Sequence, residues 1–457
     1  MNKPHEPNSW EARAMANVMA GFTDFPTLHE RGPMILTHGK GVRLYDTAGR
    51  DYLDANSGLW NVVCGWDHEG LIEAMVAQTR RFPAYHAFFG RMADTSVELS
   101  EKLIEVSPFA TGRVFFTNSG SEANDTMVKM LWMMNRAEGK PERRKIITRI
   151  NSYHGVTAVS ASMTGKPYNE HFGLPLPGFL HADCPHYWRF GEEGESEAEF
   201  TARMARNLEE LIEREGPETI AGFFAEPVMG AGGVIPPSKG YFEAIQPVLK
   251  RHGIPFISDE VICGFGRTGA VWGAETYGIE PDAIIASKAL TCGFMPLGAV
   301  ILGDAFAERM QAAAEKIEEF PHGFTSSGHP VACAVGLKAI EIILEEGLLA
   351  NVRMISPYFM KRLNALADHP LGGEARGIGL MGALEVVAEK ATKTPFDGAL
   401  SVSERIANAC LDQGLICRPL GQAVVLCPPF IMDETLLDEM FDKLETALDK
   451  VAEGLKA

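Results

Sequence analysis

Apolar residues fall along this chain in two kinds of pattern. Short runs rich in Val, Ile and Phe stand at 113–117, 145–149, 220–226, 254–259, 282–287 and 297–302. Each is brief and evenly apolar, which predicts strands buried on both faces rather than half-exposed ones. Longer amphipathic stretches separate them, among them 121–136 and 240–251, and these predict helices. Strand alternating with helix in this way implies an α/β fold: an open, mostly parallel sheet covered by helices. From about residue 330 the rhythm changes. A helix at 331–346 is apolar on one face, and short strands follow near 378–386, 415–418 and 423–427. Leu437, Phe441, Leu444, Leu448 and Val451 then stripe one face of a final helix. We expect a large α/β domain over 61–329 and a smaller α+β domain over 330–457, to which an N-terminal segment, 1–60, contributes.

Composition narrows the class. The 457 residues are 46% apolar and 22% charged, which is globular and long enough for two or three domains. Net charge is -18, and the longest basic run is Arg143-Arg144-Lys145, so a nucleic-acid partner is not expected. No apolar run is long enough to span a membrane, and the opening MNKPHEPNSWEARAM has no apolar core of a secretory signal. The eight cysteines are scattered without a CxxC, which suits reduced thiols in a cytoplasm. His181-Ala-Asp-Cys184-Pro-His186 imitates a metal cluster but lacks a second ligand pair at a usual spacing, and no metal is expected.

Three segments carry candidate chemistry. In Val114-Phe-Phe-Thr-Asn-Ser119-Gly120-Ser121-Glu122-Ala-Asn124 a strand ends, a turn follows and a helix begins. Ser119 and Glu122 fit a capping box, and free N–H groups with two hydroxyls make a phosphate seat. In Ile254-Pro-Phe-Ile-Ser-Asp259-Glu260-Val261 two carboxylates stand at a strand's C-terminal end, the edge where open α/β sheets bind ligands. The following Gly264-Phe-Gly-Arg-Thr-Gly269 spells a dinucleotide fingerprint, yet it starts several residues after the strand and no helix opens from it. In Asp282-Ala-Ile-Ile-Ala-Ser-Lys288 a lysine ends an apolar strand, 29 residues after Asp259. Burial there would turn its amine into a usable nucleophile.

A phosphate cup, a strand-end carboxylate and a strand-end lysine are what pyridoxal 5'-phosphate (PLP) requires: a seat for the phosphate, a partner for the ring nitrogen and a Schiff-base lysine. Tyr153-His154-Gly155 would stack on the ring, and Glu226-Pro227 adds a second carboxylate.

At this point the chain resembles the class III aminotransferases of PLP fold type I, over nearly its whole length. SGSEAN, YHG, AEPV, ISDEV followed by GFGRTG, and the Ser-Lys of IIASKAL occur in that family's order. Phe22-Thr-Asp, Gly58-Leu-Trp60, Phe88-Phe89 and His322-Gly-Phe-Thr325 are similar to its ω-amine:pyruvate branch. The resemblance implies that Lys288 is the catalytic lysine and Asp259 the pyridinium partner, with Val261 packing beneath the ring. It implies cofactor contacts from Ser119, Gly120, Ser121, Tyr153, His154 and Glu226. Thr325 would reach the phosphate of the other subunit, in a homodimer or a tetramer. Phe22, Trp60, Phe88, Phe89, Tyr153 and Ala231 would wall the substrate pocket. Arg418 would receive the acceptor's carboxylate. The implied reaction moves an amino group from an ω-amino acid or amine to pyruvate or another 2-oxo acid. A PLP racemase, mutase or decarboxylase would use the same lysine and aspartate, and a nicotinamide oxidoreductase or a silent PLP-fold binding protein are the rivals from other classes.

Overall fold

The computed structural model describes residues 6–456; the first residues of the stretch read for a secretory signal lie outside the described residues. Near the N-terminus β1 (Leu36–Lys40), β2 (Arg43–Asp46) and β3 (Asp51–Asp54) form an antiparallel meander. The apolar runs of the middle pair into one seven-stranded sheet. Its members are β4 (Gly112–Thr117), β5 (Lys145–Arg149), β6 (Phe179–Ala182), β7 (Ile220–Ala225), β8 (Phe256–Asp259), β9 (Ala283–Ala286) and β10 (Gly298–Gly303), in the spatial order β4-β10-β9-β8-β7-β5-β6. Strands β9, β8, β7, β5 and β6 run parallel, and β10 runs antiparallel to both β9 and β4.

The even hydrophobicity of these runs follows from burial on both faces. Every residue of β7, β8, β9 and β10 is buried. Successive side chains point to opposite sides. Phe224, Ile257, Ile285 and Val300 pack on helix Gly120–Ala137 through Met127, Leu131 and Met134. Phe223, Phe256, Ile284 and Ile301 face the other layer, with Phe200 and Phe242 of helices Glu197–Glu215 and Tyr241–Arg251. Strand β6 was not among the expected strands. Its Phe-Leu-His-Ala carries a histidine and leaves two positions half-exposed at the sheet's edge, so no apolar run marks it.

In the C-terminal part, β11 (Gly372–Ile378) and β12 (Met381–Val386) precede β13 (Leu415–Ile416), β14 (Arg418–Leu420) and β15 (Ala423–Leu426). The single strand expected at 415–418 is therefore two. Leu415 pairs in parallel with Leu53 of β3, whereas Arg418 pairs antiparallel with Val425, in a sheet ordered β11-β12-β15-β14. The final helix, Glu434–Lys456, buries Leu437, Phe441, Leu444, Leu448 and Val451 as its stripe predicts. Among the described residues no helix is long and apolar enough to cross a membrane.

Candidate active site

The parallel strands aim their C-terminal ends at one edge, and β4 joins them because it too opposes β10. A cavity of about 210 Å³ opens there, lined by Ser119, Gly120, Ser121, Tyr153, His154, Gly155, Glu226, Asp259, Val261, Ile262, Ser287 and Lys288. Segments more than 160 residues apart in sequence, from Ser119 to Lys288, thus meet at the end of one sheet.

Asp259 ends β8 and is almost wholly buried. Its Oδ2 accepts hydrogen bonds from Nδ2 of Asn124 at 2.9 Å and from Nδ1 of His154 at 2.7 Å, and its Oδ1 from the Val261 N–H at 3.1 Å. Three donors hold the carboxylate in one orientation. Asn124 belongs to the SGSEAN run, but its role depends on Asp259 and the His154 carbonyl, which it also reaches at 2.9 Å. Glu226, just beyond β7, accepts from the N–H of Tyr153 at 3.0 Å and of Gly230 at 2.9 Å. Burial pushes its carboxyl above the ordinary range, and the Asp259 charge adds to that push.

Lys288 lies two residues past the end of β9, with φ of 48°. Such left-handed geometry is strained for a non-glycine residue and is found where the surroundings over-determine it. Removal from water pulls the amine down to about 8, with the nearby Arg418 guanidinium adding to the effect. Nζ donates to the Leu59 carbonyl at 3.1 Å and lies 5.8 Å from the centre of the Trp60 ring.

Ser119 caps helix Gly120–Ala137, its Oγ accepting from the Glu122 N–H at 3.2 Å. The reciprocal half of the expected capping box is displaced by one residue: Glu122 accepts from the N–H of Asn118 at 2.7 Å. The helix's first-turn N–H groups have no partner within the helix. Glycine is required at the cup, because a Cβ on Gly120 would stand 2.8 Å from Val261 and one on Gly155 would meet Ser121 at 2.5 Å. An anion seat, a slot between Tyr153 and Val261 and a clamped carboxylate facing a lysine suit a flat, phosphorylated heteroaromatic ring, so these residues fit PLP.

Beside Lys288 stands Trp60, which is buried and held by its indole N–H to Oδ1 of Asn56 at 2.6 Å. Arg418, the first residue of β14, sits 5.3 Å over the Trp60 ring. Burial lowers its guanidinium from the ordinary value, offset by the neighbouring Tyr153 and Tyr168. Arg418 makes no ion pair among the described residues. Ala231 packs into the same cluster as Trp60, Tyr153 and Ile262. Phe22 is exposed and meets Tyr168 edge-on at 5.8 Å, at the rim of a separate apolar cavity of about 1090 Å³.

Phe88 and Phe89 do not line this chain's own cavity, Phe22 lines the separate one, and Thr325 lies outside both, as expected for a residue that serves the other subunit. Phe88 packs against Gly323, Phe89 is 84% exposed, and Thr325 is exposed two residues beyond Gly323. The expectation that Phe88 and Phe89 wall the substrate pocket is not met by the cavity of this one chain. Phe88 is held beside Gly323, and sequence order could not reveal that pairing. The Gly264–Gly269 run is a turn and not a nucleotide loop: buried Arg267 inside it donates to the carbonyls of Leu380 at 3.0 Å and Pro428 at 2.6 Å. Glu260, pushed up to about 7 by burial, accepts from the N–H groups of Gly273 and Ala274 instead of facing the cavity. His186 bonds Glu374 at 2.7 Å, and Cys184 lies against Met229.

The profile of the family Aminotransferase class-III matches residues 27–448. Gamma aminobutyrate transaminase 1, mitochondrial, of Solanum lycopersicum is 43% identical over 446 residues, covering 96% of this chain and 87% of that protein. The aminotransferase of Vibrio fluvialis in its PMP-bound form is 68% identical, with a TM-score of 0.97 over 98% of this chain and 99% of that one. An omega-aminotransferase of Paracoccus denitrificans shows the same identity, 68%, and TM-score, 0.97, over 98% and 99% of the two chains.

Proposed function

The chain belongs to the class III aminotransferases, and we propose that within this family it takes the amino group of an ω-amino acid or a simple amine and delivers it to pyruvate. The fold is fold type I, the cofactor is PLP, and the reaction is amino transfer from an amine to a 2-oxo acid. When bound, PLP supplies an aldehyde for the donor's nitrogen and a ring that accepts the electrons left as the donor carbon loses its proton.

The remaining work falls to side chains. Lys288 would hold the cofactor through its amine and would serve as the base that takes the proton from the donor carbon. Asp259, oriented by Asn124, His154 and the Val261 N–H, keeps the ring nitrogen protonated. Ser119, Gly120 and Ser121 would hold the phosphate, with Tyr153 and Val261 lining the space for the ring. Trp60, Tyr153 and Ala231 wall the donor. Arg418 grips the acceptor's carboxylate with both arms of its fork and turns away for a donor that has none, which avoids a buried unpaired charge.

We read the protein as a homodimer with shared sites. Phe88, Phe89 and Thr325 lie together on an exposed surface, which supports Thr325 of the partner subunit completing the phosphate seat and Phe88 of the partner subunit closing the pocket. Residues 61–329 are read as the large domain, and 330–457 with the N-terminal 1–60 as the small one. Eight free thiols support a reducing, cytoplasmic setting.

The observation that carries the substrate reading is Arg418, a half-buried cation without a carboxylate partner among the described residues, lying over the same Trp60 ring as the Lys288 amine. A panel of amines with pyruvate, read by alanine formed, tests it together with Lys288→Ala. The variant is expected to lose both transfer and the visible absorbance of bound cofactor. Near-normal turnover without Lys288, or no alanine from any donor, would overturn the reading.

A further inference from the structure

The wall that carries Ala231 is a short loop under strain. Met229 and Ile235 bond each other in both directions, and the Gly230 carbonyl accepts from the N–H groups of Gly233 and Val234 at 2.9 Å each. At its near end the loop is tied by the Gly230 N–H to Glu226, at 2.9 Å. At its far end Val234 has φ of 48°, an outlier for a β-branched residue. Its side chain is fully buried among Met381, Ala383, Ala423 and Val425 of the C-terminal sheet. Such a conformation persists only where neighbours enforce it.

Arg376, buried on β11, is the neighbour that reaches across. Its Nε donates to the carbonyls of Gly233 at 3.1 Å and Val234 at 3.0 Å, and its Nη2 to Gly233 at 2.7 Å. Its Nη1 donates to Glu374 at 2.8 Å and Glu385 at 2.7 Å. The fork is thus committed to two loop carbonyls on one side and two carboxylates on the other. Gly232 has a separate tie, its carbonyl accepting from Nδ2 of Asn151 at 2.9 Å. Ala231 lies between the Gly230 and Gly233 anchors, with no polar tie of its own among the described residues.

We propose that Arg376 is a specificity-positioning residue: by gripping the Gly233 and Val234 carbonyls from the C-terminal sheet, it sets how far Ala231 projects into the donor pocket and hence the donor size accepted. The inference rests on the reading of Ala231 as a donor wall. A lysine here would still satisfy Glu374 and Glu385, but a point charge has no fork for the two carbonyls. The loop then relaxes toward an unstrained backbone and Ala231 withdraws.

The test uses PLP-loaded enzyme with pyruvate and compares kcat/KM for 2-aminopropane with that for 3-aminopentane. Their ratio on one preparation cancels the fraction of active protein, so general loss of stability leaves it unmoved. One methylene in a fitted pocket is worth about 10–200-fold, so Arg376→Lys is expected to lower the preference for the smaller amine at least ~10-fold. Ala231→Val is expected to raise it. Should Arg376→Lys not accumulate, Glu374→Gln slackens the far anchor and is expected to lower the ratio by about threefold. A ratio unchanged in Arg376→Lys, or in Glu374→Gln in its place, while Ala231→Val moves it, overturns the positioning role. A ratio unmoved by Ala231→Val as well removes Ala231 from the donor wall and the inference with it, while alanine formation still upholds amino transfer.

Discussion

Arg418→Ala separates the two halves of the reaction. Arg418 is half-buried, touches Trp60 at 5.3 Å and makes no ion pair among the described residues. Its removal therefore orphans no internal partner, and the fold loses only the cation–π contact, about 0.5–1 kcal/mol. The acceptor loses more. Two charge-assisted hydrogen bonds to a carboxylate contribute roughly 1.5–3 kcal/mol each. Water refills the vacated space in the variant, so the lower end applies: about 3 kcal/mol, or ~10²-fold in kcat/KM for pyruvate. An amine without a carboxylate never engages the fork, and its half-reaction is expected to change less than about threefold. A second effect follows from electrostatics. After burial, Arg418 is the next cause holding the Lys288 amine down at about 8, so its loss lets that amine rise toward the ordinary lysine range. Covalent capture of PLP by the cofactor-free variant, which needs the neutral amine, then shifts to higher pH. Single-turnover absorbance reads each half-reaction separately, and the pH dependence of PLP uptake reads the second effect. Arg418→Lys is expected to rescue pyruvate poorly, because a point charge lacks the fork. Equal loss in both half-reactions would refute the reasoning and make Arg418 a support of cofactor or fold.

The depressed Lys288 amine has a consequence for stability. Its folded value is about 8 against 10.5 unfolded, so between those limits the unfolded chain binds the extra proton and the penalty for burying the ammonium is full below about pH 8. Lys288→Met is expected to stabilise the cofactor-free protein in urea by about 2–3 kcal/mol at pH 7, with the gap closing toward pH 10.5; equal gaps at both pH values contradict the burial argument. Thr325→Val removes an exposed hydroxyl with no hydrogen-bond partner among the described residues, yet PLP retention in the dimer is expected to fall about 10-fold. Unchanged retention, or full activity in a sedimenting monomer, would end the shared-site reading.

The sequence by itself determined the sheet and its edge. Strands β7, β8 and β9 are buried on every residue, so their apolar runs stand out without context, and their ends put Glu226, Asp259 and Lys288 at one rim. That much is local, because each strand's burial is written in its own few residues. Strand β6 left no such mark, since an edge position tolerates His181.

What only the tertiary structure decided are the contacts between segments that share no local signal. Asn124 clamps Asp259 from 135 residues away, Arg376 grips the Gly233 carbonyl from 143 residues away, and β13 leaves its neighbour β14 to pair with β3. Phe88 and Phe89 look like pocket residues in order along the chain, but in space Phe88 packs against Gly323 and neither lines this chain's own cavity. The physical reason is the same in each case. Burial and periodicity are properties of consecutive residues, whereas a hydrogen bond between distant side chains depends on how whole elements dock, and composition carries no record of that docking.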